Sequence, residues 1–247
     1  MEEALENKLE NNNIENNNKN EFKVEYKGID DKTAQTLLKK FKVFKVIILG
    51  LHGVGKTTIS KYMELSKFLV FSPTISVDII YLKVDVNDES FLIQLWDICG
   101  NDDYAASTPN LFKNASLAMI VYAINDKTSF ENVNLWNNLV LKISGPDCIK
   151  YLIGNKKDLE KERKISEKEG EQFKEKYSFN YFLETSPKTD CNIKKLVEKI
   201  AISLYEKIKN DKDIINNKNF RLSSEEDLQK ISGNEHGGRK SKKRRWC

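Results

Sequence analysis

Apolar residues along the middle of the chain form short runs of the length of β-strands. Such runs occupy residues 43–49, 77–84, 91–96, 117–124, 149–154 and 180–184. Between two of them, over 129–143, and after the last one, over 193–208, apolar side chains recur at the spacing of amphipathic helices. Strands that alternate with helices predict an α/β fold with a doubly wound sheet.

Two neighbouring runs, 77–84 and 91–96, are predicted to form a β-hairpin, because Asn87-Asp88 between them is a turn signal. A hairpin makes one of its strands antiparallel to the rest of the sheet. The near-continuous apolar run 117–124 suits the interior of a parallel sheet. We therefore predict a six-stranded, mostly parallel sheet with one antiparallel edge strand, and about five helices.

Both ends of the chain are polar. The first twenty or so residues are rich in Asn and Glu, and such a segment cannot bury enough apolar surface to offset its ordering entropy. We predict that residues 1–42 are a disordered or partly helical extension, with a short helix over 33–41. Residues 43–208 form the folded domain, and residues 209–247 form a flexible tail.

Composition narrows the class of protein. Among the 247 residues, 39% are hydrophobic, which is enough for one core, and no stretch approaches 18 consecutive apolar residues. The acidic N-terminus lacks the apolar region of a signal peptide, and Glu2 is not the glycine that myristoylation requires. The four cysteines are scattered without a C-x-x-C pair, which favours the reducing cytosol over a disulfide framework or a zinc site.

The net charge of +4 conceals an uneven distribution. Six basic residues lie close to the C-terminus: Arg239, Lys240, Lys242, Lys243, Arg244 and Arg245. The rest of the chain is therefore slightly acidic. Because a nucleic-acid-binding domain spreads basic residues over a folded face, this pattern favours a membrane surface as partner and no nucleic acid. A nuclear-localisation signal is the alternative interpretation of the run.

A phosphate-binding loop is predicted at Gly50–Thr57, which follows an apolar strand and precedes a helix and fits G-x-x-x-x-G-K-[ST]. Its backbone N–H groups and the helix N-terminus attract an anion. Lys56 would reach the terminal phosphates, and the Thr57 hydroxyl would bind Mg²⁺. The alternative is an ordinary glycine-rich turn. The candidate contacts from this segment are His52, Gly53, Val54, Gly55, Lys56, Thr57 and Thr58.

Asp97-Ile98-Cys99-Gly100 follows the third strand and resembles a second phosphate motif. Asp97 at a strand end is well placed to hold Mg²⁺ through a water molecule, and Gly100 lets its N–H approach a terminal phosphate. An ordinary Asp-Gly turn is the alternative.

Asn155-Lys156-Lys157-Asp158 follows the strand 149–154, about 100 residues after the phosphate loop. One carboxylate accepts both the N1–H and the 2-amino group of guanine, and adenine offers no such pair, so Asp158 would select guanine. Asn155 would bridge to the phosphate loop, and the Lys156 stem would cover the base. Ligands of open α/β sheets bind at this edge; a solvated polar loop is the alternative.

The motifs together make the chain resemble a small GTPase of the Ras superfamily, most of all the Rab branch. The resemblance spans residues 43–208 and rests on Gly50–Thr57, Thr74–Asp78, Trp96–Gly100, Asn155–Asp158 and Glu184–Lys188. It implies the small G domain of the P-loop NTPases and a protein that cycles between GDP and GTP with Mg²⁺ as cofactor. It makes a nucleotide kinase or an ATPase an unfavoured alternative.

The resemblance also implies roles for residues that spacing alone does not assign. Thr74 would bind Mg²⁺ when the γ-phosphate is present, and Phe68 would lie against the guanine edge. Effectors, an exchange factor and a GTPase-activating protein would contact the loops near 68–78 and 98–112, which order with GTP. The base loop would contribute Ser186, Pro187 and Lys188. The residues expected to act in hydrolysis are Lys56, Thr74, Gly100 and Asn101.

Three departures from the pattern bear on mechanism. Asn101 stands where the family has the glutamine that orients the attacking water, and Asn is one methylene shorter. His52 stands where the family has a small residue, and its ring would crowd the γ-phosphate. Pro187 lacks the N–H that the family's alanine donates to guanine. We therefore expect slow GTP hydrolysis and somewhat weakened guanine affinity.

The chain ends in a single cysteine, Cys247, where Rab proteins usually have two. One prenyl group beside the basic run would make the two-signal anchor that stable membrane binding needs; a free thiol is the alternative. The predicted function is a Rab-like GTPase of vesicle traffic, cytoplasmic and peripheral on the cytosolic face of an endomembrane. The competing function is a GTP-binding scaffold with negligible turnover.

Overall fold

The computed structural model describes residues 22–72, 74, 76–100 and 109–222, with side chains described as far as residue 211. Seven strands form one sheet, in the order β1-β3-β4-β2-β5-β6-β7. Their bounds are β1 Val24–Ile29, β2 Lys42–Leu49, β3 Val77–Val86, β4 Glu89–Ile98, β5 Leu117–Ala123, β6 Ile149–Asn155 and β7 Tyr181–Glu184. The mixed α/β class and the mostly parallel sheet are confirmed.

The predicted hairpin is also confirmed, because β3 and β4 pair antiparallel across a two-residue turn at Asn87 and Asp88. Asn87 takes a left-handed conformation there, with φ of 52°, which asparagine tolerates better than most residues. The other described pairs of the central sheet, β2 with β4 and β5, β5 with β6, and β6 with β7, are parallel.

The prediction of six strands was wrong, since β1 was not expected. It pairs antiparallel with β3, from Val24 opposite Val86 to Ile29 opposite Tyr81. The antiparallel strand β3 is therefore not the edge of the sheet. The signal in the sequence is weak: half-buried Val24 and Tyr26 alternate with exposed Glu25 and Lys27 over only six residues. A strand this short depends on its distant partner rather than on its own propensity.

Six α-helices lie within the described residues, against about five predicted. They are α1 Asp31–Leu37, α2 Lys56–Leu65, α3 Lys127–Glu131, α4 Val133–Ile143, α5 Glu167–Lys176 and α6 Ile193–Leu222. The periodic segment 129–143 is divided at Asn132 into α3 and α4. Helix α5 begins with a complete capping box between Ser166 and Glu169, which satisfies two N–H groups at its start.

Different helices pack against different strands of the sheet. Helix α2 packs against β1, β3 and β4, helices α3 and α4 pack against β5, and α5 packs against β6 and β7. Every residue of β5 is buried. The core cluster beside it includes Phe112, Tyr122 and Trp136, which are all fully enclosed. The same core cluster includes side chains of β2 and β6. Close packing of these strands fixes the positions at which the loops begin at their carboxyl ends.

The chain divides into two compact units, Met1–Leu204 and Tyr205–Cys247. All seven strands lie in the first unit. The predicted closing helix begins as expected but continues to Leu222 instead of ending near residue 208, and no proline or glycine stands between 209 and 222 to end it. None of the described helices is long and apolar enough to span a bilayer.

Candidate functional site

The phosphate loop connects the end of β2 to the first residue of α2. Gly55 precedes the helix in a left-handed conformation, with φ of 95°. The buried Lys56 ammonium donates to the loop itself, with its Nζ 2.9 Å from the Gly50 carbonyl oxygen and 3.1 Å from that of Leu51. The loop thus surrounds a buried positive charge at the N-terminal end of a helix, where anions bind well.

The second phosphate motif meets this loop at Gly100. The His52 N–H donates to the Gly100 carbonyl oxygen at 3.1 Å. A Cβ atom on residue 100 would collide with the His52 nitrogen, the Leu51 carbonyl carbon and the Lys56 Nζ. Only glycine allows the two backbones to approach so closely, and this approach brings the end of β4 next to the loop.

Three oxygen-bearing side chains converge beside Lys56. The Thr57 Oγ1 lies 2.5 Å from Asp97 Oδ2 and 2.7 Å from Thr74 Oγ1. The Thr74 Oγ1 lies 3.4 Å from the same carboxylate oxygen. These side chains come from α2, from the connection to β3 and from β4, so the fold rather than local sequence brings them together.

The Asp97 carboxylate is fully buried. Its Oδ1 has no hydrogen-bond partner among the residues that the structure describes. Burial raises the pKa of Asp97, although the Thr57 hydrogen bond and the Lys56 charge oppose that shift. A buried carboxylate with an unsatisfied oxygen, next to two hydroxyls, is a set of hard oxygen donors that fits Mg²⁺.

No group of three or more His, Cys, Asp and Glu side chains within the described ranges is placed to hold a metal ion. A site for a divalent cation at Asp97 would therefore use hydroxyl oxygens and water to complete its coordination. Mg²⁺ tolerates this arrangement, because it retains several waters and needs only one or two carboxylates.

Two adjoining cavities open at the carboxyl edge of the sheet. The first has a volume of about 210 Å³ and is lined by His52, Gly53, Gly55, Lys56, Thr57, Thr58, Phe71, Ser72, Thr74 and Gly100. The second has a volume of about 350 Å³ and is lined by Gly55, Thr58, Phe68, Leu69, Val70, Phe71, Asn155, Lys156, Asp158, Leu159, Pro187 and Lys188. Gly55, Thr58 and Phe71 line both, so the two cavities lie side by side.

The polar side chains of the second cavity are held by other protein groups. The buried Asn155 amide donates from Nδ2 to the Val54 carbonyl oxygen at 2.8 Å and accepts from Thr185 Oγ1 at 3.2 Å. The sequence predicted this bridge to the phosphate loop. The Ser186 hydroxyl donates to Asp158 Oδ1 at 2.7 Å, so Ser186 orients the carboxylate that lines the cavity.

A buried ion pair lies behind this cavity and was not predicted. Glu184, whose side chain is fully buried, accepts two hydrogen bonds from Arg163 at 2.6 and 2.8 Å. Lys157 Nζ lies 3.4 Å from the same carboxylate. The bonds to Glu184 and then to Glu160 raise the pKa of Arg163. The cluster joins the segment that contains Asp158 to the segment that contains Ser186.

The structure brings together every predicted nucleotide contact that it describes. Val54 and Ser186 do not line either cavity. They contact lining residues instead: the Val54 carbonyl oxygen accepts from Asn155, and the Ser186 hydroxyl donates to Asp158. Lys188 is exposed, and its Nζ lies 3.5 Å from Asp158 Oδ2. Asn101 and Cys247 lie outside the described residues, as does the basic run at the C-terminus.

Sequence reasoning missed part of the cavity wall. Leu69, Val70, Phe71 and Ser72 line the cavities together with the predicted Phe68. The signal was available, because Phe68–Phe71 is an apolar run inside a connecting loop, where such runs are uncommon. Val70 remains 86% exposed, so part of this run faces solvent.

Comparison with known proteins agrees with the fold. The Ras family model matches residues 45–206. The chain belongs to the Ras family. It is 34% identical over 176 residues to the Ras-related protein Rab-2B of Dictyostelium discoideum, which covers 71% of this chain and 87% of that protein. The chain is therefore a Rab-like small GTPase, a GTP hydrolase of vesicle traffic.

Proposed function

We propose that this chain switches between GDP and GTP states, with the guanine base in the larger cavity and the phosphates in the smaller one. The observation that carries the proposal is the convergence of Thr57, Thr74 and Asp97 within hydrogen-bond distance of one another. They are far apart in sequence and all end beside the buried Lys56. A glycine-rich turn without a ligand has no need for this arrangement.

Thr57, Thr74 and Asp97 would hold Mg²⁺. When bound, the ion supplies positive charge that neutralises the phosphate oxygens. The Lys56 ammonium adds a second positive charge from inside the loop, and Gly100 brings a backbone N–H near the same place. Thr74 belongs to the connection between α2 and β3 rather than to a helix or strand. We therefore expect Thr74 to move relative to Thr57 when the terminal phosphate is bound or lost.

Guanine selection would rest on Asp158. Its carboxylate lines the larger cavity, and the Ser186 hydroxyl fixes its direction. A carboxylate held in this way accepts the two adjacent donors of guanine and repels the acceptor edge that adenine presents there. Phe68 and the Lys156 stem provide apolar surface for the base, and Pro187 leaves the guanine carbonyl one N–H donor short.

We expect slow hydrolysis of GTP. His52 lines the smaller cavity and is exposed, so its ring lies where a γ-phosphate or an arginine from an activating protein would approach. Asn101 would orient the attacking water poorly, because its side chain is short. A GTP-binding scaffold with negligible turnover is the second candidate, and it rests on the same two residues.

Single-turnover hydrolysis distinguishes these possibilities. The full-length protein is loaded with GTP, and the decay of GTP is compared between the wild type and the Asn101→Gln variant. We expect faster decay in the variant, because the longer amide reaches the water, with unchanged GTP affinity. Equal rates in the two proteins would contradict our account of Asn101, and bound GTP that never decays in the wild type would favour the scaffold.

We propose that the C-terminal tail attaches the protein to the cytosolic face of an endomembrane through prenylated Cys247 and the six neighbouring basic residues. The proposal rests on the sequence, since a single lipid together with a basic run satisfies the two-signal requirement. Effectors, an exchange factor and a GTPase-activating protein would bind the loops around the smaller cavity. Mass spectrometry of the native C-terminal peptide tests the lipid, and an unmodified Cys247 would contradict it.

A further inference from the structure

The first described strand and helix lie outside the part of the chain that matches the Ras family. That match begins at residue 45, whereas β1 and α1 precede it. Strand β1 pairs with β3 along six residues, and β3 pairs in turn with β4, which contains Asp97. The N-terminal segment is thus part of the sheet that supports the nucleotide site.

One face of β1 lies against helix α2. A Cβ atom on Gly28 would collide with the backbone carbonyl group of Glu64, which lies in the last turn of that helix. The contact is therefore between two backbones, and only glycine permits it. Backbone contacts of this kind transmit displacement efficiently, since neither partner can move aside by changing a rotamer.

Tyr26 extends the same contact two residues earlier in β1, on the same face. It is half-buried, and burial followed by the carboxylates of Asp190 and Glu198 raises its pKa. Tyr62 of α2 faces the same place: burial and then a hydrogen bond to Asp190 raise its pKa. Asp190 directly follows the turn that contains Pro187 and Lys188. Helix α2 thus contacts both the inner face of β1 and the turn Pro187–Thr189 of the base loop.

Helix α2 links this contact to the phosphates. It contains ten residues, so it is about 15 Å long. Glu64 lies in its last turn, whereas Lys56 and Thr57 lie in its first. A short helix moves as one body, and a shift at its C-terminal end displaces these two side chains.

We propose that β1 is a positioning strand for the nucleotide site. By holding the C-terminal end of α2, it keeps Lys56 and Thr57 aligned with the β-phosphate and slows the release of GDP. The inference rests on the proposed function, because it requires that guanine nucleotide occupies the two cavities. It makes the strand Val24–Ile29 part of the proposed switch, although this strand lies outside the residues that match the family.

The Gly28→Ala variant of the full-length protein tests the proposal. The added methyl group pushes β1 away from α2, and we expect GDP to dissociate about tenfold faster, which corresponds to about 1.4 kcal/mol. Lys27→Ala is the matched control, because Lys27 is exposed and points to the opposite face of the strand. It is expected to release GDP at the wild-type rate.

Binding of GMP shows whether the Gly28→Ala variant has lost the alignment of Lys56 and Thr57 or has simply lost stability. GMP lacks the β-phosphate, so the Gly28→Ala variant should bind GMP as the wild type does while it binds GDP less tightly. Equal losses for GDP and GMP would overturn the proposal, as would wild-type GDP release. Tyr26→Ala tests the same contact if Gly28→Ala does not fold. If the wild-type protein itself bound no guanine nucleotide, the proposed function would fail instead.

Discussion

The two halves of the proposed nucleotide cleft are built differently. In the base half, the side chains that would read guanine are already fixed by other protein groups: Asn155 by Val54 and Thr185, and Asp158 by Ser186. In the phosphate half, a buried Asp97 oxygen has no described hydrogen-bond partner, and the Lys56 ammonium donates to loop carbonyls.

This difference matches the two tasks of a switch. A base site that is rigid in advance selects guanine equally well in both nucleotide states, because no rearrangement is needed. A phosphate site whose buried charges gain partners from the ligand gives the ligand a large influence on the surrounding loops. In the proposed switch, the state of the phosphates would therefore change the protein's surface while the choice of base stays constant.

The largest effect is expected from Asp158→Ala. The carboxylate would form two charge-assisted hydrogen bonds to guanine, each worth about 1.5–3 kcal/mol. Together they correspond to a loss of GDP affinity of about a hundredfold or more. ADP binding should not change, so the preference for GDP over ADP in a competition assay should fall by the same factor. Glu162→Ala, on an exposed carboxylate of the same turn, is the control and should retain the preference for GDP.

The second prediction concerns the ion pair that supports the base half. Arg163→Ala should lower the free energy of unfolding by about 3 kcal/mol, since it leaves the fully buried Glu184 carboxylate with only the more distant, partly exposed Lys157 as a counter-charge. Lys157→Ala removes a partly exposed member of the same cluster and should cost less than about 1 kcal/mol. Urea unfolding of both variants provides the measurement. Similar losses of unfolding free energy in the two variants would contradict the claim that the buried Arg163–Glu184 pair contributes more to stability than the partly exposed Lys157.

The third prediction concerns the phosphate half. Asp97→Asn should make GDP release insensitive to Mg²⁺, whereas chelation of Mg²⁺ should accelerate release from the wild type on the order of tenfold, as expected for the loss of one charge-assisted contact. Asp78→Asn is a matched control, because Asp78 lies opposite Asp97 in the neighbouring strand but pairs with Lys61 at 2.9 Å. A Mg²⁺-sensitive Asp97→Asn variant would contradict the assignment of the cation site.

The smallest effect is expected from Pro187→Ala. Pro187 is buried and lines the base cavity, and the substitution restores one backbone N–H where the guanine would bind. A neutral hydrogen bond is worth roughly 0.5–1.5 kcal/mol, so GDP affinity should rise about three- to tenfold with no change in base preference. Titration of GDP against both proteins measures the gain, and equal affinities would count against the missing hydrogen bond.

Features that depend on local sequence could be predicted, whereas features that depend on a distant partner could not. The positions of the phosphate loop, Asp97 and Asn155–Asp158 at the carboxyl edge of the sheet were predictable, because each motif lies at the end of an apolar strand. Strand β1 was missed, since it is short and its stability comes from a partner more than fifty residues away. The Arg163–Glu184 pair was missed for a similar reason: nothing in either local sequence indicates which side chain will be buried opposite which.

The identity of the nucleotide that accompanies the purified full-length protein tests the central claim most directly. The protein is isolated in Mg²⁺-containing buffer and denatured, and the released nucleotide is separated and quantified by chromatography. We predict GDP or GTP at close to one molecule per chain. Adenine nucleotide in comparable amount, or a chain that remains empty when GDP is added in excess, would contradict the assignment of the two cavities to guanine nucleotide.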